Sequence, residues 1–99
     1  MNETLEDQLR KKIESLGNSP VAIRSLLFNQ RITGNKGQSR SCPIAMFLKK
    51  EGFICPSVSQ IFIAVGNDEF YADINTPEAV AQFLQRFDTE EYPELINDN

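Results

Sequence analysis

Val58-Ser59-Gln60-Ile61-Phe62-Ile63-Ala64-Val65, then Gly66-Asn67-Asp68-Glu69, then Phe70-Tyr71-Ala72-Asp73-Ile74, is the stretch that decides the fold class. Its first part is rich in β-branched and aromatic residues, the composition of a strand. Its middle part is made of turn formers. Its last part alternates apolar and polar residues, which puts Phe70, Ala72 and Ile74 on one buried face. The reading is a β-hairpin over about 58–65 and 70–74. An isolated hairpin is marginal in water, so helices must cover it. Its edges are open to further pairing, with Phe53–Cys55 or with another subunit.

Outward from the hairpin, the periodicity turns helical on both sides. Thr4 begins a helix over about 5–16, with Leu5, Leu9, Ile13 and Leu16 on one stripe and Gly17 as its stop. Ser19-Pro20 opens a second over about 20–31, with Val21, Ile23, Leu26, Leu27 and Phe28 expected inward. Ser41 is the expected cap of a third, about 42–51, which has Pro43 in its first turn and ends at Gly52. After the hairpin, Thr76-Pro77-Glu78 opens a C-terminal helix that buries Val80, Phe83, Leu84 and Phe87. Three helices, a hairpin and a packed C-terminal helix make the class α+β.

The chain has 99 residues, 40% of them hydrophobic. At that length a single domain buries roughly 65% of its unfolded surface, enough for one core. No apolar run reaches the ~18 residues of a membrane span, and the N-terminus lacks the basic and apolar regions of a signal peptide. The expected location is cytoplasmic.

The net charge of −4 hides two opposite halves. Residues 1–50 carry nine Lys/Arg against four Asp/Glu, and residues 51–99 carry one against ten. Within one domain this gives a basic helical half, 1–52, and an acidic half of hairpin plus helix, 53–99. Between Glu14 and Glu51 there is no carboxylate, but six cations: Arg24, Arg31, Lys36, Arg40, Lys49 and Lys50. Such a segment is expected to face an anion or an acidic partner.

The candidate site is the surface formed by Arg24, Arg31, Lys36, Ser39, Arg40, Ser41 and Cys42. Thr33 to Arg40 reads as a polar loop with two glycines that leads into the start of the third helix. Free N–H groups and the helix dipole favour an anion there. The loop does not spell a phosphate-binding P-loop, which needs Lys-Ser/Thr after its last glycine. Cys42 reads first as a small buried hydrophobe, as free cysteines commonly are; as the alternative, its place beside Arg40 and a helix N-terminus would lower its thiol pKa, the property of a redox-responsive thiol. The Cys-x5-Arg pattern of phosphatases is missing, since Leu48 stands at the arginine position.

The chain has no histidine and only two cysteines, Cys42 and Cys55. That removes His-based catalysis and leaves too few ligands for a typical zinc site within one chain. No enzyme activity, metal or cofactor is expected. Nucleic acid is an alternative partner. The gap of about ten residues between the second and third helices is too long for a helix-turn-helix, and Asp68, Glu69 and Asp73 oppose a β-ribbon reader. Glu90, Glu91, Glu94 and Asp98 read as a solvated end, or as a surface that docks on the basic face of a second copy.

Ser41-Cys42-Pro43-Ile44-Ala45 with Phe47-Leu48 form one recognisable segment. Thr76-Pro77, Ala79-Val80, Phe83, Phe87-Asp88 and Tyr92-Pro93-Glu94-Leu95 form another. Together they resemble a loose group of small uncharacterised bacterial and phage proteins, over about residues 20–96. The resemblance implies a compact α+β domain and carries no catalytic residue with it. The expected function is a non-enzymatic module that binds another protein or an anionic group, with nucleic acid and thiol redox chemistry as the alternatives.

Overall fold

The computed structural model describes residues 4–96. Asp98 lies outside them. Helix α1 (Leu5–Glu14) starts where Thr4 Oγ1 accepts a hydrogen bond from the Asp7 N–H at 3.1 Å. Helix α2 (Pro20–Asn29) starts in the same way, with Ser19 accepting from the Ala22 N–H at 3.1 Å. Each cap satisfies a donor that the helix itself leaves open. Helix α3 (Pro43–Lys50) is capped by Cys42, not by Ser41 as expected. Helix α4 (Glu78–Asp88) follows Pro77 without a side-chain cap, and a short 3₁₀ turn (Pro93–Leu95) closes the described chain.

The sheet differs from the expected hairpin. The run 58–65 is broken into two strands, β1 (Ser57–Val58) and β2 (Phe62–Gly66), and β3 (Tyr71–Asn75) follows. All neighbours are antiparallel, in the order β1-β2-β3. Ser59 makes the break. Its hydroxyl oxygen accepts from the N–H groups of Ile61 and Phe62 at 3.2 and 3.1 Å, and its own N–H donates to the Phe62 carbonyl at 3.0 Å. This local bonding outcompetes the strand ladder that the neighbouring side chains favour. Phe53–Cys55, one of the two partners open to the sheet edge, forms no strand; its Ile54 carbonyl reaches the sheet, accepting from the Gly66 N–H at 2.6 Å.

Register sets the two faces. Val58 opposes Ile63, Ile63 opposes Ile74, and Val65 opposes Ala72; all five are buried. Phe70 does not join them. The Asn67 side chain accepts from the N–H groups of Glu69 and Phe70, both at 2.9 Å, so Phe70 belongs to the turn and is 66% exposed.

The buried face meets the helices. α1 lies against β3, α3 against β1, and α2 against α4 and the 3₁₀ turn. Phe83 is stacked on Phe87 and on Tyr92, with ring centroids 6.1 and 5.3 Å apart. Two residues expected inward on α2 are outside: Val21 is 61% and Phe28 49% exposed. That helix has apolar residues on several faces; Pro20, Ile23 and Leu27 are buried and Leu26 packs against the core from its edge. Among the described residues no helix is long and apolar enough to cross a membrane.

Candidate functional site

The link between α2 and α3, residues 30–42, carries most of the sequence-predicted site. It leaves α2 through paired bonds: the Arg31 N–H donates to the Phe28 carbonyl and the Ile32 N–H to the Leu27 carbonyl, both at 3.0 Å. This ending requires a left-handed residue, and Arg31 takes it with φ 58°. The polar loop beyond is tied down. The Gly34 N–H donates to the Leu95 carbonyl at 2.9 Å, and the Asn35 N–H to the Ser41 carbonyl at 2.8 Å. Asn35 Nδ2 also reaches the Ser41 hydroxyl at 3.3 Å, and the Ser39 carbonyl accepts from the Val58 N–H at 2.8 Å.

The expected anion seat at the start of α3 is covered. Cys42, Pro43, Ile44 and Ala45 are all buried. Cys42 Sγ accepts from the Ala45 N–H at 3.4 Å, so the helix end is closed by its own cap. The expectation of a lowered thiol pKa is reversed. Burial raises it above the ordinary value, and the bonds from the Ala45 and Ile44 N–H groups only partly oppose that. Desolvation of the thiolate outweighs the helix dipole here.

The acidic end of the same chain takes up part of the basic segment. The Gly37 N–H donates to Asp88 Oδ1 at 3.1 Å, and Lys36 Nζ pairs with Glu90 Oε1 at 3.2 Å. Arg24 Nε bonds Glu94 Oε1 at 2.5 Å, and its guanidinium lies over the Phe28 ring, 5.1 Å from the centroid. That hydrogen bond holds the Glu94 carboxyl below the ordinary carboxylate range. Of the acids read as a solvated end or as a surface for a second copy, Glu90 and Glu94 thus pair with cations of the same chain, and Asp88 bonds the loop backbone beside them.

Of the remaining cations, Arg40 adjoins one cleft in sequence, and Arg31 and Lys50 line another. A cleft of about 310 Å³ includes Gly37, Gln38, Ser39, Cys42, Ser59 and Asp88. Arg40 is exposed next to it in sequence and makes no ion pair among the described residues. A second cleft, of about 360 Å³, is lined by Gln30, Arg31, Ile32, Thr33, Met46 and Lys50. It shares no lining residue with the first. Lys50 Nζ reaches Gln30 Oε1 at 3.5 Å, which links the end of α3 to the end of α2.

The structure therefore gathers Lys36, Ser39, Arg40 and Ser41 in one ordered loop above a buried Cys42. It binds Arg24 to Glu94 and places Arg31 in a different cleft with Lys50. Gln30, Thr33, Met46 and Lys50, which line the second cleft, were not among the sequence-predicted site residues. α1 and α3 end at glycines, Gly17 and Gly52, whereas α2 and α4 end without one. No protein-family model, curated protein or solved structure matches this chain.

Proposed function

We propose that this protein is a small cytoplasmic, non-enzymatic binding module whose basic surface meets another protein or an anionic group. The observation that carries the reading is a set of cations without carboxylate partners. Arg31, Arg40 and Lys49 are exposed and make no ion pair among the described residues. Exposed charge left without an internal partner is available to an external one, and it steers encounter. The reach of the surface is narrower than the sequence suggests, because Arg24 and Lys36 are already held by Glu94 and Glu90. Those same carboxylates stand against a long polyanion lying across the loop, which favours a protein partner over nucleic acid.

The test is an amide NMR titration with a short acidic peptide and with oligodeoxythymidine at low and high salt. Salt-sensitive shifts on residues 31–50 with the acidic peptide are the expected result. Shifts with the oligonucleotide alone would move the reading to nucleic acid. No shift with either probe would end it.

A further inference from the structure

We infer that the cleft between the end of α2 and the second half of α3 binds an acidic peptide segment, with Arg31 and Lys50 holding its oxyanion. This rests on the binding-module reading and names the ligand class for one part of that surface.

The first argument is electrostatic. The cleft has two cations and no carboxylate among Gln30, Arg31, Ile32, Thr33, Met46 and Lys50. Four other clefts differ. The one at Gly37–Ser59 includes Asp88, those at Leu5–Phe70 and Lys11–Phe53 include Glu51, and the one at Arg10–Phe62 includes Glu6 and Asp73. An anion entering the α2–α3 cleft meets no such repulsion from its walls.

The second argument is conformational. α2, α3 and α4 all end with the same pair of backbone bonds, and each needs a left-handed residue. α3 uses Gly52 at φ 95°. α4 uses Glu90 at φ 66°, and Glu90 returns an ion pair to Lys36. α2 uses Arg31 at φ 58°, and Arg31 makes no ion pair among the described residues. Glycine or asparagine would fill that position with less strain. Complementing the helix dipole accounts for Lys49 and Lys50 at the end of α3. It does not require an arginine in this backbone conformation, which Cys55 and Glu90 also adopt, and strained positions of this kind cluster at ligand sites.

The walls describe the ligand further. Thr33 and Gln30 add hydrogen-bonding groups, while Met46, 37% exposed, offers an apolar and adaptable contact. The match is a carboxylate or phosphate side chain followed by an apolar one. No aromatic ring lines the cleft for base stacking.

The experiment titrates a capped Leu-Glu repeat peptide, its phosphoserine counterpart and oligodeoxythymidine into the wild type, Arg31→Asn, Lys50→Gln and Arg86→Gln. Amide shifts and thermal unfolding are both recorded. Salt-sensitive shifts are expected at residues 30–33 and 46–50. Arg31→Asn should weaken peptide binding about tenfold, the size of one charge-assisted hydrogen bond. Its Tm should not fall, since asparagine tolerates the left-handed region. Arg86→Gln should bind as the wild type does. Peptide shifts confined to residues 36–42 would overturn the cleft and leave the broader reading standing. Cleft shifts with oligodeoxythymidine only would overturn the peptide. Silence from all three probes would remove both.

Discussion

Cys42 caps α3 with a sulfur, and two influences act on that thiol in opposite directions. The helix N-terminus favours a thiolate, and burial at 3% exposure disfavours it. Burial wins, and the pKa rises above the ordinary value of 9.0. The folded state then holds the proton more tightly than the unfolded chain does. Stability from this group is complete below about pH 9 and falls as the pH rises beyond it. Urea unfolding of the wild type should therefore lose stability above that pH more steeply than Cys42→Ala does. Thiol labelling at neutral pH gives a second check. The exposed Cys55 should react at once and Cys42 only as fast as the protein opens. Rapid labelling of Cys42 in the folded state would reinstate a reactive thiol.

At the scale of elements, the loop 30–42 is ordered because α3 begins directly against it. A Cβ on Gly34 would meet the backbone of Ser41–Pro43, with the Ser41 oxygen 2.6 Å away. Backbone cannot step aside as a side chain can. Gly34→Ala should destabilise by about 1–3 kcal/mol, towards the upper end, in denaturant titration. Gly37 has open space at the same atom and differs only by its φ of 67°, so Gly37→Asn should cost under about 1 kcal/mol. Equal costs at the two glycines would mean that the loop is not held against α3. Helix starts were legible in the sequence, because Thr4 and Ser19 bond only to residues a turn away. The break at Ser59 was less so. Its side chain competes with a ladder whose strength depends on strands elsewhere.

Over the whole molecule, the two oppositely charged halves close on each other in part. Lys36–Glu90 is a surface pair, Glu90 being 66% exposed, and should contribute about 0–1 kcal/mol. Arg24–Glu94 is less exposed, and the Arg24 hydrogen bond lowers the Glu94 pKa below 4.5. Its stabilising effect is present above the unfolded value and lost as the pH falls through the folded one. The stability difference between the wild type and Glu94→Gln should thus shrink on acidification below about pH 4.5 in urea titrations, and a difference constant with pH would mean that the pair contributes nothing. By itself, the sequence determined what acts locally: the α+β class, the starts of α1 and α2, the buried stripe of α4 and the division of charge between the halves. Only the tertiary structure decided which cations are neutralised, that Phe28 and Phe70 face outward, and that Arg31 and Lys50 line one cleft. Those outcomes depend on groups far apart in the chain, such as Arg24 and Glu94, and on register and burial that no local pattern encodes.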